Sequence, residues 1–398
     1  MKQSPLFIIG IVTLYLASCS PKQETMDALI KDRLDRSVQQ YELMAQSLID
    51  QPDRLPRSID SEGNLVSSNP DWWCSGYFPG SLWYLYEFTN SKQLMQYAQN
   101  YTSRVEKVKY DKTKHDIGLM LYCSFGNGYR ITDDTTYRNV MLTGAKSLAN
   151  RFNPLTGCTR SWDFGRDKWQ YPVIIDNMVC LELLLWASKE TGDPVFKNIC
   201  MSHADATMKN HFRPDYSSYH VVSYDTISGQ VEKKTTYQGF ADETAWARGQ
   251  AWGLYGYATM YRETKETRYL EQARNIAAFM LHHPNMPADK IPYWDFDAPD
   301  IPNALRDASA GAITASALIE LSGYVDVALA KEYLDVAETQ LRTLSSPEYF
   351  AENGTNGNFI LKHSVGHLLG KSEIDVPLAY ADYYYIEALL RYKNLKQE

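Results

Sequence analysis

The stretch TGDPVFKNICMSHADATM, residues 191–208, joins a polar turn to an amphipathic helix. Asp193 and Pro194 are typical of a helix start, because an Asp side chain can cap the first turn and Pro is tolerated there. Apolar residues then recur at spacings of three and four, the period of one helix face. The same turn-and-helix pattern recurs at residues 89–105, 132–149, 264–281 and, more weakly, 323–341.

More apolar helical stretches alternate with these units. They lie at residues 115–129, 173–190, 242–264, 309–324 and 375–393, and an early pair near 24–50 and 76–90 completes six helical hairpins. Strand-like alternation is confined to the region 216–237. We therefore predict an all-α fold, an (α/α)6 toroid whose inner ring is formed by the apolar helices. The alternative is an open solenoid of tetratricopeptide type, but the intervals are too long and uneven for a repeat of about 34 residues.

The N-terminus resembles an export signal. Lys2 precedes an apolar run that ends at Cys19 and is too short to span a bilayer. Leu16-Ala17-Ser18-Cys19 fits a bacterial lipoprotein cleavage box, in which the Cys becomes the lipidated first residue. We predict a signal peptide at 1–19, a short tether after it, and a single catalytic domain within 20–398. The protein would be an exported lipoprotein of a Gram-negative bacterium, in the periplasm or anchored to the outer membrane. The alternative is an ordinary signal peptide with an incidental Cys.

Composition excludes several classes of function. The net charge is −8 and no run of Lys or Arg is present, which argues against nucleic acid as a partner. No metalloprotease, P-loop or dinucleotide motif occurs, so we expect neither a metal nor a cofactor. The five cysteines after Cys19 lack pair spacing, which argues against a disulfide framework, and most are expected to be buried. The 13% aromatic content suits stacking on sugar rings, but it suits core packing as well.

Two acids precede apolar helices, where a toroid has its open mouth. Asp116 lies at the start of the stretch HDIGLM. Asp176 lies in IIDNMVC, where Ile and Met are near it in sequence. An apolar setting raises the pKa of a carboxyl group, as a general acid near neutral pH requires. The alternative role for each is a helix cap, because Asp is common at that position.

Other candidates lie in motifs rich in aromatic residues. Arg248 and Trp252 are four residues apart, hence on one helix face, and Arg248 is a candidate either for binding a carboxylate or for an internal salt bridge. Trp73, Tyr77 and Trp162 are candidates for stacking on a sugar. The remaining candidates are His220 at the end of DYSSYH, for which a structural role is the alternative, and Gln238 in QGF.

These segments, taken in order, resemble the unsaturated glucuronyl hydrolases of glycoside hydrolase family 88. The matching motifs from about residue 25 onward are WWCSGYFPG, HDIG, RSWD, IIDNM, DYSSYH, QGF, WARGQAW and SEIDVPLAYADYYYIEAL. The family fold is an (α/α)6 barrel. One departure is Cys74, where the family motif leads us to expect Thr.

The resemblance implies roles for individual residues. Asp176 would be the general acid/base and Asp116 its partner carboxylate. The sugar subsite would be lined by Trp73, Tyr77, His115, Trp162, His220, Gln238, Arg248 and Trp252. The segment HSVGHLLGKSE resembles one linked in relatives to sulfate preference, which makes Ser364, His367 and Lys371 candidates for contacts there.

The implied activity is release of a terminal 4,5-unsaturated uronic acid from oligosaccharides made by polysaccharide lyases. The C-terminal segments favour glycosaminoglycan products. Two alternatives remain open: an unsaturated rhamnogalacturonyl hydrolase acting on pectic fragments, and a non-catalytic lipoprotein that binds glycans. The second would need the aromatic residues but not two acids in apolar settings.

Overall fold

The computed structural model describes residues 24–395. The predicted signal peptide at 1–19, with Cys19, and residues 20–23 of the predicted tether lie outside this range. Thr25, the last residue of that tether, caps the first helix by accepting a hydrogen bond from the Ala28 amide. None of the helices in the described range combines the length and apolar character needed to cross a bilayer.

The chain is built mainly from helices. In chain order they are α1 (Met26–Ser47), α2 (Tyr77–Thr89), α3 (Lys92–Arg104), α4 (Ile117–Leu121), α5 (Asn127–Thr132), α6 (Thr135–Ala149), α7 (Asn177–Cys180), α8 (Glu182–Thr191), α9 (Pro194–Asn210), α10 (Ala247–Thr264), α11 (Thr267–His282), α12 (Ala308–Ser322), α13 (Val327–Leu344) and α14 (Ala379–Asn394). A π-helical turn, Tyr122–Gly126, joins α4 to α5, and short 3-10 helices span Glu106–Tyr110 and Asn356–Asn358.

These helices form two concentric rings, which confirms the predicted toroid. Within residues 24–395 the inner ring has six members: α2, α4 with α5, α7 with α8, α10, α12 and α14. Each packs against the next, and α14 closes the ring against α2. The outer ring consists of α1, α3, α6, α9, α11 and α13, each of which alternates in sequence with an inner member.

The burial of the two rings follows from their sequences. Helix α12 is buried along almost its whole length because Ala, Gly and Ser let its neighbours approach from several sides. Helix α13 instead alternates exposed charges with a buried stripe, as an outer helix should. All five cysteines of the described range are buried and free, which confirms the prediction that most are buried and that they form no disulfide framework.

Two glycines hold α7 close to both of its inner-ring neighbours. A Cβ on Gly118 of α4 would lie 2.3 Å from the Cys180 carbonyl oxygen, and one on Gly256 of α10 would lie 2.4 Å from Cβ of Met178. Only glycine permits these approaches, because real Cβ contacts are never so short. The start of α7, and therefore Asp176, is thereby held close to the start of α4, where Asp116 lies.

Ion pairs join the inner ring toward the C-terminal ends of its helices. Glu320 of α12 accepts hydrogen bonds from Arg262 of α10 at 3.0 Å and forms a 2.8 Å ion pair with Arg391 of α14. Glu387 of α14 accepts a hydrogen bond from the Tyr84 hydroxyl of α2 at 2.8 Å. Buried charges of this kind are tolerated when they are paired and hydrogen-bonded. This end of the ring is therefore structural.

The prediction that strands are confined to 216–237 was wrong. Strands in that region exist, but antiparallel pairs also occur elsewhere. The strands are β1 (Leu55–Ile59), β2 (Leu65–Ser68), β3 (Phe152–Asn153), β4 (Cys158–Thr159), β5 (Pro172–Ile174), β6 (Val221–Tyr224), β7 (Val231–Thr235), β8 (Ser364–His367) and β9 (Ser372–Val376). The sheets are β1–β2, β3–β4, β5–β6–β7 and β8–β9. Strands of two to five residues contain too few alternating positions to be recognised in sequence.

Candidate active site

A cavity of about 560 Å³ opens where the inner helices begin. Its wall combines acids, cations and aromatic rings. They are contributed by the loops before α2, α4, α7 and α10, by the first turns of α10 and α14, by strand β1 and by the hairpin β8–β9. The lining residues are Arg57, Asp71, Trp72, Trp73, Thr113, Lys114, His115, Asp116, Trp162, Asp163, Phe164, Ile174, Asp176, Tyr237, Gln238, Arg248, Gly366, His367, Ser372, Glu373 and Tyr380.

Asp116 and Asp176 both line this cavity, each one residue before an inner helix. Neither carboxylate accepts a capping hydrogen bond from its helix, so the alternative role as a cap does not hold for either side chain. Their side chains remain 19% and 16% exposed. Both groups can therefore reach a molecule bound in the cavity.

The pKa of Asp176 is raised to about 7, mainly because burial disfavours its charged form. The positive charge of Arg248 acts in the opposite direction, and the negative charge of Asp116 raises the pKa further. The Oδ2 atom of Asp176 has no hydrogen-bond partner within residues 24–395. A carboxyl group in this condition holds a proton near neutral pH and can give it to a bound molecule.

His220 lies directly behind Asp176. The backbone N–H groups of Tyr237 and Gln238 both donate to its Nδ1 at 3.0 Å. Since Nδ1 accepts, the proton of the neutral ring must be on Nε2, which lies 3.7 Å from Asp176 Oδ2. Burial lowers the pKa of His220 well below its usual value and keeps the ring neutral.

His115 occupies the corresponding position beside Asp116. Its Nε2 lies 3.3 Å from Asp116 Oδ1, and its Nδ1 lies 3.6 Å from the thiol sulfur of Cys180. Burial lowers the pKa of His115, although the charge of Asp116 opposes this effect. Each of the two acids thus has a buried histidine as a neighbour.

Arg248 is held rigidly at the cavity wall. It forms an ion pair with Asp307 at 3.0 Å and donates to the carbonyl oxygens of Val365 and Gly366. Its guanidinium lies over the rings of Trp246 at 4.5 Å and Tyr380 at 5.3 Å. Of the two roles considered for Arg248, the internal salt bridge is present. Arg248 also lines the cavity, so its binding of a substrate carboxylate stays a prediction.

Aromatic rings cover a large part of the wall. Trp162 and Phe164 stack with their centroids 4.7 Å apart and their planes 12° from parallel. Trp73 packs at 4.9 Å against Tyr380, which contributes a further ring to the lining. Flat apolar faces beside polar groups are well suited to binding a sugar ring.

A known hydrolase is similar in sequence over almost the whole length of the chain. A curated unsaturated glucuronyl hydrolase of Formosa agariphila is 42% identical over 396 residues, which cover 98% of both chains. The chain belongs to the unsaturated glucuronyl hydrolase family. It is therefore a glycosidase. No family model matches the sequence.

Solved structures of unsaturated glucuronyl hydrolases have the same architecture. One, described as specific for heparin, is 50% identical, covers 94% of this chain and 99% of its own, and superposes with a TM-score of 0.90. Another, from Bacillus sp. GL1 and described as responsible for glycosaminoglycan degradation, is 30% identical, covers 93% and 97%, and has a TM-score of 0.85.

Some of the residues predicted for the site of this glucuronyl hydrolase line the cavity, and others do not. The predicted residues that line the cavity are Asp116, Asp176, Trp73, His115, Trp162, Gln238 and Arg248. The others predicted to line the sugar subsite lie behind it. Tyr77 is fully buried under Trp73, and Trp252, 1% exposed, packs against Tyr384. His220 is 3% exposed and does not line the cavity.

The C-terminal candidates need a similar correction. Ser364 is completely buried, and Lys371 lies in the turn between β8 and β9; neither lines the cavity. The same segment does reach the wall through His367, whose Nε2 lies 2.7 Å from the Tyr237 carbonyl oxygen, and through Ser372 and Glu373. A one-residue step along a strand reverses the side on which a side chain points, and the sequence did not reveal that register.

Several residues that line the cavity of this hydrolase were not predicted from its sequence. Phe164 and Tyr237 each lie next to a quoted motif, RSWD or QGF, so extending those motifs by one residue would have found them. Trp72 is the first residue of the quoted motif WWCSGYFPG, beside the predicted Trp73. Arg57 is harder to find, because it lies on β1, a strand that no periodicity indicated. Glu373 reaches Arg57 only through tertiary structure.

Proposed function

We propose that the protein removes a terminal 4,5-unsaturated uronic acid from lyase-generated glycosaminoglycan oligosaccharides by hydrating the C4=C5 double bond. The observation that carries this proposal is the raised pKa of Asp176 beside the charge of Asp116 in an aromatic cavity. The named relatives are hydrolases, and two solved ones are described by heparin specificity and glycosaminoglycan degradation. This favours an enzyme over a glycan-binding module, and glycosaminoglycan products over pectic ones.

The substrate is an enol ether, because its C4=C5 double bond is joined to the ring oxygen. Asp176 donates its proton to C4, and positive charge develops on C5 and the ring oxygen. The negative charge of Asp116 stabilises this cation, and its effect on the pKa of Asp176 keeps the proton available beforehand. The chemistry thus differs from displacement at the anomeric carbon, the route of ordinary glycosidases.

Water then adds to C5, and the ionised Asp176 takes up the proton that the water loses. The resulting hemiketal opens to a ketone at C5, which leaves the glycosidic carbon as a hemiacetal. That hemiacetal releases the neighbouring sugar. Asp176 is regenerated in its protonated form, so one carboxyl group serves as acid and then as base.

The test is incubation of the full protein with unsaturated disaccharides made by lyases from chondroitin, hyaluronan and heparin. The ultraviolet absorbance of the conjugated double bond should disappear as the bond is hydrated. Binding of these disaccharides without loss of absorbance would instead support a binding module. Loss of absorbance only with products of a rhamnogalacturonan lyase would support the pectic alternative.

We also propose that the protein is exported and lipidated at Cys19, and that this lipid is its contact with a membrane. The support is the charged, apolar and small-residue order of residues 1–19. Expression in a Gram-negative host with a labelled fatty acid should label the protein. Cys19→Ser should abolish labelling, and equal labelling of both forms would contradict the proposal.

A further inference from the structure

His115 directly precedes Asp116 in the chain, and its ring is enclosed at the cavity wall. The side chain is only 2% exposed, although the residue lines the cavity. The backbone N–H of His115 donates to the Ser161 carbonyl oxygen at 2.8 Å, and its carbonyl oxygen accepts from the Gly118 N–H at 3.0 Å. The backbone is therefore held on both sides, and the two ring nitrogens determine what His115 contributes to the site.

The thiol group of Cys180 contacts both halves of the acid pair. Its sulfur lies 3.6 Å from Nδ1 of His115 and 3.8 Å from the backbone carbonyl oxygen of Asp176. Cys180 follows Asp176 by four residues, the spacing that places two residues on one helix face. Burial raises the pKa of this thiol well above its usual value, so the sulfur keeps its hydrogen. Cys180 can therefore donate a weak hydrogen bond to His115.

The charge of Asp116 determines which nitrogen of His115 carries the hydrogen. Nε2 lies 3.3 Å from Asp116 Oδ1, and an ionised carboxylate can only accept a hydrogen bond. Burial lowers the pKa of His115 and keeps the ring neutral, with a hydrogen on one nitrogen only. When that nitrogen is Nε2, the ring donates towards Asp116 and Nδ1 is an acceptor. Within residues 24–395, the Cys180 thiol is the hydrogen-bond partner of Nδ1.

The remaining titratable groups around this pair do not change the position of the hydrogen. The positive charge of Arg151 further favours the neutral ring of His115. The other groups whose charges act on His115 or Asp116 are Cys74, Asp176, His203 and His220. Burial keeps the thiol and the two histidines of this set neutral near pH 7, because it raises the pKa of the thiol and lowers the pKa of each histidine.

The thiol also disfavours the ring in its flipped orientation. Turning the ring over would place a carbon atom against the Cys180 sulfur and another against the Asp116 carboxylate. At His220 two backbone N–H groups donate to the corresponding nitrogen, Nδ1. At His115 a side chain occupies that position, so the contact can be removed by substitution.

We infer that His115 is a positioning residue for Asp116, with its ring held in the productive orientation by the thiol of Cys180. This inference rests on the proposed function, in which the negative charge of Asp116 stabilises the developing cation. The N–H group on Nε2 orients the carboxylate and favours its ionised form. Cys180 does not line the cavity, so it acts on Asp116 through His115.

The contact between His115 and Cys180 can be measured without substrate. Nitrogen-15 NMR of the full protein with labelled histidine distinguishes protonated from unprotonated ring nitrogens, and His115→Gln identifies the signals of His115. The hydrogen should be on Nε2 in the wild type. The Nδ1 signal should shift in Cys180→Ala, which lacks a donor, and shift less in Cys180→Ser, which keeps one. A hydrogen on Nδ1 in the wild type, or an Nδ1 signal unmoved in Cys180→Ala, would overturn the inference.

The same two substitutions separate a donor from a core-filling side chain in the absorbance assay. Cys180→Ala should lower kcat about 3- to 10-fold, the size expected for the loss of one hydrogen bond, and leave KM nearly unchanged. The acid limb of its pH–rate profile should move to higher pH, because ionised Asp116 is less well stabilised. Cys180→Ser should retain more activity. Core filling predicts no advantage for Ser, because a buried hydroxyl is costly, so equal activity of the two variants contradicts a donor role.

The matched control is Cys200→Ala, because Cys200 is also a buried thiol but donates to the Leu181 carbonyl oxygen. Its kcat should equal that of the wild type. In a His115→Gln background, Cys180→Ala should cause no further loss of kcat, since the ring that it orients is absent. Additive losses would show that Cys180 acts independently of His115. If the wild type hydrolyses no unsaturated disaccharide, the NMR measurement still tests the contact, which distinguishes failure of the proposed function. Thermal unfolding confirms that each variant is folded.

Discussion

The Nε2 atom of His220 lies 3.7 Å from the Oδ2 atom of Asp176, and neither atom has a hydrogen-bond partner within residues 24–395. This distance exceeds that of a hydrogen bond. Two backbone amides determine the tautomer, so the hydrogen on Nε2 faces the carboxyl group. When Asp176 transfers its proton, this N–H group is placed to stabilise the new negative charge.

Two substitutions distinguish a role of His220 as a hydrogen-bond donor to Asp176 from a purely structural role. His220→Asn keeps an acceptor near the position of Nδ1 but removes the donor that faces Asp176. We expect kcat to fall about 10-fold or more and the alkaline limb of the pH–rate profile to move to higher pH, because a hydrogen bond to a charged group is lost. His220→Gln, which offers an amide donor near the position of Nε2, should retain more activity. A fall in kcat with an unmoved alkaline limb would show a purely structural role.

The pKa of Asp176, about 7, predicts the direction of the pH dependence. A general acid works in its protonated form, which prevails below pH 7. The value of kcat/KM should therefore fall above about pH 7, by up to about 10-fold per pH unit. In Asp116→Asn the residual rate should begin to fall at lower pH, because the charge that raises the pKa of Asp176 is removed. An alkaline limb that does not move in this variant would show that the charge of Asp116 does not raise the pKa of Asp176.

Asp176→Asn tests the central proton transfer directly. The amide has nearly the same shape but no proton to donate, so the rate should fall by about 10²–10⁴. Folding should be retained, because the lost Oδ2 atom makes no hydrogen bond in the native structure. The measurement is the loss of double-bond absorbance together with thermal unfolding. Nearly normal turnover in the folded variant would remove Asp176 from the mechanism.

Gly118→Ala tests the close contact that brings the two acids together. The added Cβ would lie 2.3 Å from the Cys180 carbonyl oxygen, a backbone atom that cannot move aside by itself. We expect a loss of about 1–3 kcal/mol in the free energy of unfolding, the usual cost of overpacking, and a fall in kcat. Urea unfolding and the absorbance assay measure the two effects.

Gly323→Ala is the matched control for this substitution. Gly323 ends α12 with an ordinary negative φ, and a Cβ there would be 3.5 Å from the Glu320 carbonyl oxygen. Its stability should change by no more than about 0.5 kcal/mol. Equal stability and activity in the two variants would show that the approach of α4 to α7 does not matter for the site.

The sequence by itself determined the ring and the position of its chemistry. Helical periodicity is a local property, so the alternation of amphipathic and apolar helices was readable, and with it the six hairpins. Asp116 and Asp176 were recognisable for the same reason, since each has apolar neighbours in sequence at the start of an inner helix. Their roles as helix caps could be rejected only from the geometry of the side chains.

Only the tertiary structure decided which other side chains reach the cavity. Tyr77 and Trp252 belong to recognised motifs, yet ring closure places them behind Trp73 and Tyr380. Arg57 and Glu373 lie far apart in the chain and meet because β1 packs beside β9. The pKa of Asp176 likewise depends on how deeply the closed ring buries it and on charges from other helices. Local patterns carry no information on such long-range contacts, which exist only once the ring has formed.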